Sequence, residues 1–86
     1  MFEFDQNKSK SNKDKHGIDF DAAKELWKDV NRIVIPTRRV DEARFLMIAK
    51  SEDTVWAAVY TYRNKKIRII SVRKARTHEK EIYHRG

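Results

Sequence analysis

Residues 55–73 read VWAAVYTYRNKKIRIISVR, two β-branched and aromatic runs on either side of a polar break at Arg63–Lys66. Such composition favours strands, and a short polar break between two of them marks a hairpin. A two-residue turn at Asn64–Lys65, or a four-residue loop, pairs Tyr62 with Ile67, Tyr60 with Ile69 and Val59 with Ile70. One face then carries Val55, Ala57, Val59, Ile70 and Val72. The other carries Trp56, Tyr60, Tyr62, Ile67, Ile69, Ser71 and Arg73. A three-residue loop would shift the pairing by one and mix the two sets. One sheet face must be covered, and the aliphatic set is the expected contact for helices. The aromatic, hydroxylated and basic face is then the functional candidate.

The flanks extend the pattern. Arg44–Lys50 is a third strand by composition, separated from the hairpin by Ser51–Glu52–Asp53, and Ile33–Val34–Ile35 is a short strand ended by Pro36. Thr37–Glu42 reads as a polar loop and 77–84 as a short terminal helix. Upstream, Asp19 can cap a helix over 20–29, in which Phe20, Ala23, Leu26, Trp27 and Val30 recur at helical spacing. Residues 5–16 are almost wholly polar, yet Asp5 at the start, Lys13, Lys15 and His16 at the end, and Gly17 behind suit a helix. Phe2 and Phe4 would anchor it. The expected fold is α+β, with two N-terminal helices packed on a four-stranded antiparallel sheet and a short C-terminal helix, one domain over residues 1–86.

Composition narrows the function. A chain of 86 residues buries only about 60–65% of its unfolded surface, so chemistry belongs on an open face or a shallow groove. The absence of cysteine excludes disulfides, a thiolate nucleophile and a Cys-based zinc site. His16, His78 and His84 fall in no HExxH-like pattern, so neither a metal nor a cofactor is expected. The N-terminus lacks the apolar stretch of an export signal, and the longest apolar runs, Phe45–Ala49 and Val55–Tyr60, fall far short of the roughly 20 residues of a membrane span. A cytoplasmic protein is expected. Residues 1–62 carry 11 Lys/Arg and 11 Asp/Glu, whereas 63–86 carry nine Lys/Arg against two glutamates, so the whole net charge of +7 lies at one end. A basic end on a neutral body points to a polyanionic partner; a solvated surface without one is the plain alternative.

The residues also resemble a known family. Phe2–Glu3–Phe4–Asp5, then Lys8, Asn12, Lys15–His16–Gly17, Phe20 and Ala22–Ala23 resemble the opening of the BrnT toxins. Later blocks are Glu42–Ala43–Arg44–Phe45, Val59–Tyr60–Thr61–Tyr62–Arg63, Arg68 through Ala75, and Glu79 with Tyr83. The resemblance implies a RelE-like fold and a ribonuclease toxin of a type II toxin–antitoxin pair that arrests growth. It also implies neutralisation by a BrnA-like antitoxin with a ribbon-helix-helix domain, in a heterotetramer that meets operator DNA only through the antitoxin. This chain departs from the family pattern at Phe4 (usually Trp), Val30 (often Pro), Ala43 (often Glu) and Ala49 (often Gly). The order Arg76–Thr77 is also inverted, which would remove a capping box ending at Glu79.

Metal-independent RNA cleavage needs a base for the 2′-OH proton, cationic donors for the phosphate and an acid for the leaving 5′-oxygen. The catalytic candidates are Arg68, Arg73, Tyr60, His16 and Glu79, and the RNA-binding candidates are Arg63, Lys15, Arg44, Arg76 and Tyr83. Arginine's planar fork fits phosphate, and histidine as a residue type titrates near neutrality. Each has a plainer reading: Arg68 as a core-rim residue or the partner of a helix carboxylate, Arg63 as a turn residue, and Tyr60 as a half-buried strand tyrosine. His16 would answer the helix dipole, Glu79 would pair with nearby arginines and Tyr83 would close over the sheet. Trp27 and Trp56 read as core or antitoxin contacts. Two other functions compete: a nucleic-acid- or antitoxin-binding module without catalysis that takes part in operon autoregulation, and a DNA-binding regulator, for which no helix-turn-helix is present.

Overall fold

The hairpin closes with the two-residue turn in a computed structural model that describes residues 1–37 and 41–86. Strands β4 (Thr54–Arg63) and β5 (Lys66–Lys74) are joined by Asn64 and Lys65, both at positive φ, 52° and 65°. Two positive φ values give the turn twist that antiparallel strands demand. Lys65 adopts it without glycine, at a cost of about 1 kcal/mol. Tyr62 pairs with Ile67 and Tyr60 with Ile69, as the sequence predicts. Beyond them Val59 pairs with Ser71, not Ile70, because Ile70 is the extra residue of a bulge. Ile69 and Val72, three positions apart, thereby lie in the same core cluster, and Ser71 and Arg73 turn to the opposite face.

The sheet has five strands in the order β1-β5-β4-β3-β2, with β1 Phe2–Glu3, β2 Ile33–Pro36 and β3 Arg44–Ser51. It is mixed, not the four-stranded antiparallel sheet expected, because β1 runs parallel to β5 and pairs Phe2 with Ile67 and Glu3 with Arg68. A two-residue strand has no period to read, and its partner lies more than sixty positions away.

The two faces are covered in the opposite sense to expectation. The N-terminal helices pack on the aromatic face, where Trp56, Tyr60, Ile69 and Val72 meet Phe20, Ala23, Leu26 and Met47. The helical side brings its own rings, and edge-to-face contacts join them: Phe2–Trp27 at 5.0 Å, Phe4–Phe20 at 5.6 Å and Trp27–Tyr60 at 5.2 Å between centroids. Burying rings against rings removes more apolar area from water than the aliphatic strip could. That strip faces the other way. There the C-terminal helix α3 (Thr77–Arg85) lays Ile82 and Tyr83 over Ile48, Val55 and Ala75.

Helix α1 (Gln6–His16) explains how a segment without an apolar stripe folds. Asp5 caps it by accepting from the Asn7 and Lys8 N–H groups, and Gly17 ends it at φ 81°. Its two buried side chains are polar and satisfied. Ser9 Oγ accepts from the Phe20 N–H at 2.9 Å, while the Asn12 amide bridges Ile18 and Val72. The helix expected over 20–29 is instead α2 (Phe20–Ala23) running into a 3₁₀ segment, Lys24–Lys28. Three residues per turn stack Ala23 above Leu26, both fully buried, while Val30, expected on the apolar stripe, is 88% exposed. Asp29 ends the segment by accepting from the Asn31 and Lys50 N–H groups and the Tyr83 hydroxyl.

Candidate functional site

Cross-strand partners share a face, so the sheet surface away from α1 and α2 carries Arg44, Leu46, Val59, Thr61, Arg68, Ser71 and Arg73. Its cations fall into two groups. At one end Arg44, Arg63 and Arg68 line a shallow pocket with Lys8, Thr61 and Glu42. Every guanidinium there has a carboxylate. Arg44 donates to Glu42 through Nε and Nη2 at 3.0 Å, Arg63 lies 3.7 Å from the same carboxylate, and Arg68 meets Glu3 at 3.0 Å. Arg68 therefore pairs with a carboxylate of β1, not of a helix.

At the other end Arg73 and Glu79 form a two-pronged pair, Nη1 to Oε1 at 2.7 Å and Nη2 to Oε2 at 2.9 Å. The Arg76 N–H also donates to Glu79, at 2.8 Å. The inverted Arg76–Thr77 order thus keeps the carboxylate contact of the capping box that the sequence reading had lost. Glu79 is 3% exposed, and its hydrogen bonds from Arg73 hold the carboxyl down at about 2 against the opposing effect of burial. The same bonds raise Arg73. A carboxylate this weakly basic is a poor proton acceptor but a firm anchor for a guanidinium.

That anchor sets Arg73 in a groove lined by Lys15, His16, Gly17, Arg73 and Lys74. Two features of the chain bring these together. The Asn12 amide ties α1 to the outer edge of β5 at Val72, and the bulge at Ile70 sets the phase that follows. Lys15 and His16 also sit on the carbonyl end of α1, where positive charge is favoured. His16 and Arg73, nominated separately from the sequence, share one groove; Lys74 was missed, although it belongs to the basic end.

The remaining candidates lie elsewhere. Tyr60 is 3% exposed, on the helix-covered face, stacked with Phe45 and edge-on to Trp27; burial pushes its phenol up to about 12. Tyr83 lies over the sheet and donates to Asp29 Oδ2 at 2.6 Å, and that bond pushes it up to about 12. Arg76 is exposed at the start of α3. Trp27 and Trp56 both belong to the main core. Among the described residues no three His, Cys, Asp or Glu side chains cluster as metal ligands, and no helix is long and apolar enough to cross a membrane.

No individual curated protein matches the sequence. The family model described as ribonuclease toxin, BrnT, of type II toxin–antitoxin system matches residues 4–79, from the end of β1 to the Glu79 that anchors Arg73. The chain belongs to the BrnT family of ribonuclease toxins of type II toxin–antitoxin systems.

Proposed function

We propose that this BrnT-family protein cleaves RNA without a metal, by attack of the substrate's own 2′-OH, in the groove between the end of α1 and the end of β5. The observation that carries the reading is the presence of Lys15, His16, Arg73 and Lys74 around one groove. His16 accepts the 2′-OH proton as the 2′-oxygen bonds to phosphorus. Arg73 and the lysines stabilise the charge that builds on the phosphate. The P–O5′ bond breaks and the leaving oxygen takes a proton, giving a 2′,3′-cyclic phosphate and a 5′-hydroxyl. Glu79 acts as a positioning residue, through Arg73. Arg44, Arg63 and Arg68 serve as phosphate contacts further along the open face, and Arg76 as one beside α3. Tyr60 and Tyr83 serve the packing.

A BrnA-like antitoxin with a ribbon-helix-helix domain neutralises the toxin in a heterotetramer, reaching operator DNA on its behalf, and the site of action is the cytoplasm. The test incubates the purified chain with RNA in EDTA. Cyclic-phosphate ends, with kcat lowered about 10²–10³-fold in His16→Gln and in Arg73→Ala, support the reading. Cleavage that EDTA abolishes would refute its metal-free chemistry. One observation favours a binding module without catalysis: both terminal nitrogens of Arg73 are already engaged by Glu79. That reading requires RNA binding with no product at any enzyme concentration.

A further inference from the structure

We propose that the groove at His16 and Arg73 is one end of a longer path for an extended single strand of RNA, turning round the end of β5 toward α3. The path rests on the ribonuclease reading for the identity of the polyanion. Its geometry comes from a second groove, lined by Lys50, Asp53, Thr54, Val55, Lys74, Lys80 and His84, which shares Lys74 with the first. Its basic residues come from three elements. Lys50 lies near the end of β3, and Lys74 ends β5, about 10 Å away across β4. Lys80 and His84 stand four positions apart and so share one face of α3.

Pairing separates the lysines of this path from the arginines at the other end of the sheet face. Arg44, Arg63 and Arg68 all meet a carboxylate within 4 Å, whereas, among the described residues, no ion pair engages Lys15, Lys50, Lys74 or Lys80. Of the acids nearby, Glu79 is committed to Arg73, and Asp53 alone lines the second groove. Lysines left without carboxylates can replace the counterions of a phosphate backbone, and release of those counterions drives binding. The lysines meet the phosphate backbone, which carries no sequence information, so the path holds the strand chiefly by its backbone. A single strand can bend round the end of β5; a duplex is stiff over such a length.

The experiment measures fluorescence anisotropy of non-cleavable 2′-O-methyl oligonucleotides of four and twelve nucleotides over a range of salt. The wild type is compared with Lys50→Gln/Lys80→Gln, and with Lys10→Gln on α1, which lines neither groove. For the 12-mer, the double variant is expected to lose about 1.4 from the slope of log K against log salt, or about 0.7 per contact. It is also expected to bind about tenfold more weakly at 0.1 M salt. The 4-mer should bind both proteins alike, and Lys10→Gln should match the wild type. Cleavage of long substrates should show a raised KM with kcat unchanged. An unchanged 12-mer slope in the double variant, an equal loss in Lys10→Gln, or equal affinity for a 12-base-pair duplex would each overturn the path. Binding of this kind without cleavage would remove the catalytic reading and leave the path standing.

Discussion

Asn12 satisfies both backbone groups of Val72: its side-chain amide donates to the Val72 carbonyl at 2.8 Å and accepts from the Val72 N–H at 3.1 Å. The amide thus behaves as a strand peptide laid against the open edge of β5. It also donates to Ile18 O, so one side chain joins α1, the loop after it and the sheet. Asn12→Ala leaves these buried groups without partners and should cost about 2–4 kcal/mol. Urea unfolding measures it, and a midpoint within error of wild type would show the bridge to be dispensable. Activity should fall as well, because the same bridge sets Lys15 and His16 beside Arg73.

The Glu79–Arg73 pair gives stability a definite acid dependence. The folded-state carboxyl of Glu79 sits near 2, below its ordinary value of 4.5. A depressed carboxylate contributes its full stability above the unfolded pKa and loses it as pH falls through the folded one. The loss should run from about pH 4.5 to about pH 2 and reach on the order of 3 kcal/mol. Glu79→Gln should flatten that part of the stability–pH curve. A variant curve parallel to wild type across this window would rule the pair out as its source.

Local chemistry made most elements legible. Asp5, Asp19 and Gly17 mark helix ends by side-chain capping and by a left-handed backbone, which short-range sequence encodes. Three features depend on distant partners. The pairing of β1 with β5 joins Phe2 to Ile67, and the bulge at Ile70 leaves no mark in a run of apolar residues. The covered face was inverted because the choice rests on what the N-terminal segment brings: Phe2, Phe4, Phe20 and Trp27 select the aromatic side of β4. Tyr60 was nominated for chemistry on that inverted face and lies in the core. His16 and Arg73 were legible as residue types, but their adjacency was not, since it follows from the Asn12–Val72 bridge and the bulge.

Tyr83 and Asp29 hold α3 to the turn before β2. The Tyr83 hydroxyl donates to Asp29 Oδ2 at 2.6 Å, and the same carboxylate oxygen accepts the Lys50 N–H. Tyr83→Phe should cost about 1.5–3 kcal/mol, the usual range for a hydrogen bond to a charged group. Alkaline titration offers a separate check. Tyr60 and Tyr83 are both pushed up to about 12, so the wild type should show two late-ionising tyrosines and Tyr83→Phe one. A raised phenol stabilises the fold below about pH 10 and loses that contribution as pH rises through about 12. Two late tyrosines surviving in the variant would contradict the assignment.

The bulge makes the least intuitive prediction. Val59 pairs with Ser71 on one side of Ile70 and Tyr60 with Ile69 on the other, so Ile70 is the single residue of β5 without a partner across the ladder. Deleting it should therefore leave every other pair of the ladder in place, including Ala58 with Val72 and Ala57 with Arg73, and produce a regular ladder. The Ile70 deletion should unfold within about 1 kcal/mol of wild type, since it loses a half-buried side chain but gains regular pairing. Inter-strand NOEs decide the matter: contacts between Val59 and Ser71 and between Ala57 and Arg73 should persist in the deletion. Their replacement by contacts shifted by one residue would sink the argument. If they persist, any fall in RNA cleavage reflects the lost twist at the bulge, which aims Arg73 toward Lys15 and His16, and not a change of register.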